Sequence, residues 1–305
     1  EALEAERERA PCLAVRMRPP GDEIQPALER LGGRLPGGGL RVVWPAWELG
    51  RYPAEWAKLL ERFDEVWVYS RFVRDAIAPA VSRPVRVMPP GNEVLLPHLQ
   101  GRRHFGIPES AFAFLFAFDF RSYVERKNPL AVLEAFLRLA RRRPADDLCL
   151  VVKAAGRDAR TGACADFMER FRQARSECGD RSLRLIDGEL PDAAVKNLVR
   201  SCDCFVSLHR SEGFGRLLAE AMLMGRPVIC TAYSGNLDFT TDANSCLVSH
   251  RLVPVSEGAY PFWQGQVWAE PDVDHAVWWM ERLVGDWRMR ARLGQAARAE
   301  IQRRL

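Results

Sequence analysis

Two glutamates stand beside two glycines in a loop between two apolar runs of the sequence. Glu212 precedes Gly213 and Gly215, and Glu220 follows Glu212 after seven intervening residues. The apolar run at 204–208 predicts a strand, and the residues after the second glycine predict a helix. Glycine lets a ligand approach the backbone closely, and free N–H groups at a helix start attract an anion such as a diphosphate. This loop is therefore a candidate anion-binding site.

The two carboxylates extend the chemistry that this loop could perform. An ionised carboxylate accepts two hydrogen bonds at once, which suits the hydroxyls of a ribose or a hexose. The same spacing also fits a structural interpretation, in which Glu212 is an acid at a helix start and Glu220 lies on a solvated helix face. His209, just before the loop, could contact a sugar, although a single histidine at a strand end is more often structural. The spacing alone leaves both interpretations open.

Short β-rich runs alternate with longer amphipathic segments along the chain. Strands are predicted at 12–17, 40–44, 65–69, 85–88, 112–118, 148–153, 183–186, 204–208 and 227–230. Helical periodicity occurs between them at 129–142, 163–177, 192–200 and 216–224. Alternation of this kind indicates an α/β fold, with parallel sheets covered by helices on both faces.

The alternation is interrupted near residues 89–110, where proline, glycine and charged residues follow one another. This break predicts two domains, an N-terminal one at 1–105 and a C-terminal one at 106–285. The arginine-rich segment at 286–305 predicts a final helix. That helix either packs back across the domains or lies on anionic lipid.

The composition is that of a globular protein. Of 305 residues, 48% are hydrophobic and 28% are charged. A nucleic-acid partner would require a concentrated basic stripe, and a net charge of only +4 does not indicate one. None of the eight cysteines stands in a C-x-x-C pair or at zinc-ligand spacing, so we expect no metal. No apolar run approaches the roughly 20 residues that cross a bilayer. We expect a cytoplasmic protein, with at most peripheral contact at the inner membrane face.

The motifs of the glutamate loop resemble those of a known family. SEGFGRLLAEAM, followed by GRPVI and YSGN, resembles the retaining GT-B glycosyltransferases of family 4, the glycosyl transferases group 1 domain, whose signature is E-x7-E within EGFG…EAM…G.PV. The resemblance begins at VWVYSRFVRDAI, from residue 66, and is strongest at 119–248. It implies a GT-B fold, in which two Rossmann-like domains face an interdomain cleft. The N-terminal domain is unusually short for this family.

The resemblance implies a role for each matching residue. Glu212 would bind hydroxyls of the donor sugar, and Glu220 would bind the nucleotide ribose. The backbone amides that would approach the sugar and phosphates belong to Gly213, Phe214 and Gly215. In the family a later loop closes over the donor, and its counterparts here are Gly235 and Asn236, which would fit a plain β-turn nearly as well. The base would lie near 188–190.

A basic pair in the family holds the donor diphosphate. Lys127 matches the family's lysine, but Ser122 occupies the position of its arginine. The cations that could supply the missing charge are Arg121, Arg126 and Lys153. Charge is needed there because cleavage of the donor leaves a nucleoside diphosphate, and no metal motif is present to neutralise it. We therefore expect Lys127 and Glu212 to be catalytic and no cofactor to be required.

Aromatic residues at the end of an N-terminal strand suggest a second contact. Trp47 and Glu48 lie where the interdomain cleft is expected, and aromatic faces can stack on the sugar ring of an acceptor or donor. Ordinary packing of the tryptophan is the simpler interpretation.

The sequence thus predicts a retaining transferase that moves a hexose from a UDP-, GDP- or ADP-linked donor to a glycan, lipid-linked or other hydroxyl acceptor. No nucleophile for a double displacement stands out, so we expect front-side attack. Two alternatives remain open: a non-catalytic nucleotide-sugar-binding protein, and another enzyme on the same scaffold, such as a nucleotide-sugar epimerase.

Overall fold

The computed structural model describes residues 13–16, 40–91, 93–156, 162–179 and 181–304. Most of the predicted N-terminal domain before residue 40 therefore lies outside the described residues. The first sheet has four parallel strands in chain order. They are β1 (Leu13–Arg16), β2 (Arg41–Trp44), β3 (Glu65–Val68) and β4 (Val85–Val87). Helices α1 (Ala54–Leu60) and α2 (Arg71–Ile77) make the crossovers that consecutive parallel strands require.

The second sheet has six parallel strands in the order β7-β6-β5-β8-β9-β10. They are β5 (Phe112–Asp119), β6 (Leu148–Ala155), β7 (Leu183–Asp187), β8 (Cys204–Ser207), β9 (Val228–Thr231) and β10 (Cys246–Val248). The chain leaves β5 in one direction and returns to its other side at β8. In open sheets of this kind, ligands bind outside the carboxyl ends of the strands at the point where the order reverses.

Helices cover both faces of the second sheet, as the alternating pattern predicted. They are α3 (Arg102–Phe105), α4 (Val124–Lys127), α5 (Pro129–Arg142), α6 (Gly162–Cys178), α7 (Asp192–Ser201), α8 (Arg216–Leu223), α9 (Val273–Gly285) and α10 (Trp287–Arg304). The central strands β5 and β6 are almost entirely buried, which explains why their sequences are continuous apolar runs rather than alternating ones. Asn128 has a left-handed backbone and is followed by Pro129, so α5 starts sharply after α4.

An antiparallel hairpin connects the second sheet to the first. Its strands are β11 (His250–Pro254) and β12 (Val267–Pro271). Tyr260 and Trp268 from this hairpin are buried in one hydrophobic cluster with Val43 of β2. No strand was predicted here from the sequence, and the side chains of this hairpin complete the core of the N-terminal sheet. A hairpin that inserts into another core carries no periodicity that reveals its partner.

The final helix α10 packs against α8, with Ala297 and Ile301 buried beside residues of that helix. The helix α10 lies so close to the end of α8 that a Cβ atom added to Gly294 would lie 2.2 Å from the carbonyl oxygen of Gly225.

We expect Gly294→Ala to lower the free energy of unfolding by about 1–3 kcal/mol, because overpacking forces backbone to move. Denaturant unfolding measures this. Gly162→Ala, where nothing lies within 4 Å, is the matched control, and equal stability of both variants would contradict the packing described.

Candidate active site

A groove with a volume of about 460 Å³ lies at the carboxyl ends of β5, β6 and β8, beside the start of α8. This is the point where the strand order reverses. Six of the residues singled out in the sequence line it: Ser122, Lys127, Lys153, Glu212, Gly215 and Glu220. The topology therefore brings together side chains that come from three separate strand–helix connections.

Glu212 is held by hydrogen bonds and by two cations. Its N–H donates to Ser234 Oγ at 2.8 Å, which fixes the loop after β8. Its carboxylate pairs with the Lys127 ammonium, and one oxygen lies 3.4 Å from the guanidinium of Arg126. Burial alone would raise the pKa of the Glu212 carboxyl, but the two cations outweigh it and lower this pKa to about 2. The side chain is therefore an acceptor of hydrogen bonds throughout the neutral pH range.

Arg126, which the sequence suggested as a donor contact, lies beneath the groove rather than in its lining. It is 3% exposed. Its guanidinium donates to the carbonyl oxygens of Ser211 at 2.8 Å and Ser122 at 3.1 Å, and Glu48 lies 3.7 Å away. Because it lies between Glu48 and Glu212, its charge compensates both carboxylates. Arg126 thus joins the N-terminal part of the chain to the glutamate loop.

Trp47 and Glu48 occupy the junction between the two sheets, and neither faces an open cleft. Trp47 is 1% exposed. The rings of Tyr52, Trp56 and Tyr260 pack edge-on around it at centroid distances of 5.3–5.7 Å. Glu48 is buried and accepts a hydrogen bond from the Tyr260 hydroxyl. With its surroundings filled, Trp47 packs as a core residue and does not offer a face for stacking on a sugar.

Lys153 is a largely buried cation that lines the groove. It lies near the end of β6 and is 8% exposed. Among the described residues its ammonium makes no hydrogen bond and no ion pair within 4.0 Å, and it interacts at longer range with the Asp119 carboxylate. Its charge is therefore available to an anion bound in the groove.

Glu220 lies on the second turn of α8 and is buried at the edge of the groove. Burial raises the pKa of its carboxyl, and the nearby Arg216 only partly opposes this effect. The Nε atom of Arg216 lies 3.7 Å from the carboxylate. Arg216 directly follows Gly215 but was not among the predicted site residues, and the signal that could have identified it is a cation at the first position of the helix.

Gly215 needs the backbone freedom that the sequence suggested, with a φ of +94° at the start of α8. Gly213 and Phe214 serve contacts away from the groove. The carbonyl of Gly213 accepts a hydrogen bond from Ser70 Oγ at 2.6 Å, and Phe214 packs on Phe239 at 4.9 Å. These two residues therefore hold the loop in place between the two sheets.

His209, Gly235 and Asn236 form a support beneath the glutamate loop. The N–H of Gly235 donates to the carbonyl of Glu212 at 2.9 Å. His209 is fully buried, with its ring nitrogens 2.9 Å from Ser207 Oγ and 3.1 Å from Asn236 Oδ1. Burial lowers the pKa of this imidazole, so it is neutral at pH 7. His209 and Asn236, which the sequence suggested as donor contacts, do not line the groove.

The described residues contain neither a metal-binding cluster nor a helix that could span a membrane. No group of three or more His, Cys, Asp or Glu side chains within them is arranged to hold a metal ion. Within the same part of the chain, no helix has both the length and the low charge needed to cross a membrane.

Comparison with known proteins agrees with the geometry. A family model described as glycosyl transferases group 1 matches residues 116–300, which is more than half of the chain. No curated protein sequence matches significantly.

Solved structures share the fold at low sequence identity. HepE from Anabaena, in complex with UDP and glucose, has a TM-score of 0.70 at 15% identity. The match covers 96% of this chain and 73% of the HepE chain. Sucrose-phosphate synthase from Thermosynechococcus elongatus also has a TM-score of 0.70 at 15% identity, with coverages of 99% and 72%. S. aureus TarM has a TM-score of 0.65 at 12% identity, and this chain covers only 50% of it. The extent of the family match and the shared architecture establish that the chain belongs to the group 1 glycosyltransferases and is a transferase enzyme of GT-B fold.

Proposed function

We propose that the protein is a retaining glycosyltransferase that transfers a hexose from a nucleotide-diphosphate sugar to a hydroxyl acceptor without a metal. The observation that carries this proposal is that Lys153, which makes no ion pair within 4.0 Å among the described residues, lines the same groove as the Lys127–Glu212 pair. Two cations and an ionised carboxylate in one groove match a ligand that has a diphosphate at one end and sugar hydroxyls at the other.

The donor would lie along this groove. Lys127 and Lys153 would bind the diphosphate, together with the free N–H groups at the start of α8. Glu212 would accept hydrogen bonds from the transferred sugar and Glu220 from the ribose, with the base near 188–190. HepE, which shares the fold, was solved in complex with UDP-glucose, and this supports a nucleotide-sugar donor.

The chemistry would be mainly electrostatic. Cations placed where the diphosphate departs stabilise the negative charge that develops as the glycosidic bond breaks. The Glu212 carboxylate is already paired with Lys127 and Arg126, and this pairing disfavours its use as a covalent nucleophile. Front-side attack by the acceptor hydroxyl is therefore the mechanism we propose for retention, and chelators should leave the rate unchanged.

The acceptor is proposed to be a glycan or a lipid-linked hydroxyl compound. The arginine-rich helix α10 begins at Trp287, whose side chain is 64% exposed. An exposed tryptophan among arginines suits peripheral contact with anionic lipid, as a lipid-linked acceptor would require. We place the protein in the cytoplasm, where nucleotide-sugar donors would be available to it.

A thermal-shift series with UDP-, GDP- and ADP-sugars tests donor binding. A ligand at a hundredfold its Kd stabilises the folded state by about 2.7 kcal/mol. We expect one class of donor to raise Tm, and Lys153→Gln to abolish most of that rise. Without ligand this variant should have close to the stability of the wild type, because the Lys153 ammonium makes no hydrogen bond or close ion pair among the described residues that the substitution would break. Lys58→Gln, which removes an exposed lysine of α1, is the matched control.

The reaction itself separates the alternatives. Release of nucleoside diphosphate in the presence of acceptor, and slowly by hydrolysis in its absence, would support a transferase. Donor binding without either reaction would favour a non-catalytic nucleotide-sugar-binding protein. Conversion of the sugar without release of nucleoside diphosphate would indicate an epimerase. If no donor of the three classes raised Tm, the proposed donor site would be wrong.

A further inference from the structure

Arg216 is the first residue of α8, and its side chain is 63% exposed where it lines the groove. Its ion pair with Glu220 spans one helical turn at 3.7 Å, which is longer than a hydrogen bond. Among the described residues it makes no hydrogen bond through its guanidinium. This arginine is therefore free to change its position at little cost.

Two other arginines near the groove are already committed to partners. Arg121 pairs with Asp119 at 2.7 Å and with Glu189 at 2.6 Å. Arg126 is buried beneath the groove between Glu48 and Glu212. Neither can turn towards a ligand without giving up strong hydrogen bonds, whereas Arg216 would give up one long ion pair.

The position of Arg216 is unfavourable in the absence of an anion. The N-terminus of a helix carries partial positive charge, so a cation on its first residue is locally repelled. Gly215 precedes the helix with a left-handed backbone and provides no side-chain cap for its N–H groups. Lys153 lines the same groove without an ion pair within 4.0 Å among the described residues, and it adds a second positive charge that a bound anion would contact. One bound diphosphate would satisfy all three features.

We propose that Arg216 is a two-position arm that binds the donor diphosphate and controls access to Glu220. Without donor it rests against the Glu220 carboxylate. When donor enters, the guanidinium moves to the diphosphate and leaves Glu220 free to accept the ribose hydroxyls. Arg216 thereby supplies the arginine contact that Ser122 cannot make. This inference rests on the proposed function, because it requires a nucleoside diphosphate in the groove.

Calorimetric titration of Arg216→Gln tests the arm. The probes are UDP, GDP and ADP, with uridine, guanosine, adenosine and inorganic pyrophosphate for comparison. For the diphosphate that the wild type binds, affinity should fall by about tenfold, while nucleoside affinity should be unchanged or higher because Glu220 has lost its competing cation. Arg216→Lys should lose about threefold, since it keeps the charge but not the planar fork. Arg172→Gln removes an equally exposed arginine that is also paired within its helix, and should lose nothing.

The outcomes separate this inference from the proposed function. Unchanged diphosphate affinity in Arg216→Gln would overturn the arm while leaving the donor site intact. An equal loss for nucleoside and diphosphate would also overturn it, because Arg216 would then contact the nucleoside. Pyrophosphate binding as tight as nucleoside diphosphate would show a general anion site and contradict the coupling to ribose. If the wild type bound none of the nucleoside diphosphates, both the arm and the proposed function would fall.

Discussion

Lys127→Ala is expected to lower the rate of sugar transfer by about 10²- to 10³-fold, which is the usual effect of removing one preorganised group that stabilises developing charge. Lys127 lies in the groove and contacts the Glu212 carboxylate, so the substitution removes a cation from both the diphosphate and the sugar side. The loss should appear in kcat at saturating donor. Tm should fall modestly as well, because the buried Glu212 carboxylate loses one of its two cations, so kcat is compared at a temperature where the variant is folded.

The pH profile gives a second measurement on the same variant. In the wild type the pKa of Glu212 is about 2, because Lys127 and Arg126 oppose the effect of burial. Without Lys127 only Arg126 remains against burial, so this pKa should rise. Residual activity that needs the ionised carboxylate should then be lost at a higher pH than in the wild type as the solution is acidified. Lys58→Ala is the control. Near-normal turnover of Lys127→Ala would contradict the catalytic role proposed for Lys127.

Arg126→Met is expected to have the largest effect on stability, with a loss of about 3–5 kcal/mol in the free energy of unfolding. Methionine retains much of the side-chain shape but leaves Glu48 without its cation and Glu212 with only Lys127. It also leaves the carbonyl of Ser211 without its 2.8 Å hydrogen bond. Buried carboxylates that lose a cation are costly because the penalty for removing them from water is no longer offset.

Equilibrium unfolding in denaturant measures this loss, and a second substitution identifies its cause. Glu48→Gln added to Arg126→Met should restore part of the stability, since it removes one of the carboxylates left without a cation. Arg172→Met, at an exposed site, should change stability by less than about 0.5 kcal/mol. A loss below about 1 kcal/mol in Arg126→Met, or no recovery in the double variant, would show that this ion network does not hold the two sheets together.

Five of the six strands of the second sheet could be predicted from local sequence, and the three-residue β10 was missed. The run FAFLFAF predicted a strand at 112–118, and β5 is Phe112–Asp119, because a strand buried on both faces needs apolar residues at every position. The hairpin at 250–271 was missed for the opposite reason. Its alternation is weak, and the apolar residues that define it pack on a sheet formed by the beginning of the chain.

The sequence by itself determined the glutamate-loop side of the groove as far as local spacing can. A strand, a glycine loop and a helix in succession place Glu212, Gly215 and Glu220 at one edge of the sheet, because the carboxyl end of a parallel strand and the helix that follows it are joined covalently. The alternation of strands and helices likewise determined that the two larger sheets are parallel.

Only the tertiary structure decided which charges face the groove. Arg126 and Lys127 are neighbours in sequence, yet Arg126 turns inward to Glu48 and Lys127 faces the groove. The rings that enclose Trp47 include Tyr260 from a distant segment, and Arg216 reaches the groove that Lys153 also lines. The physical reason is that the free energy of a buried charge or ring depends on partners from other elements, which come together only when the sheets pack.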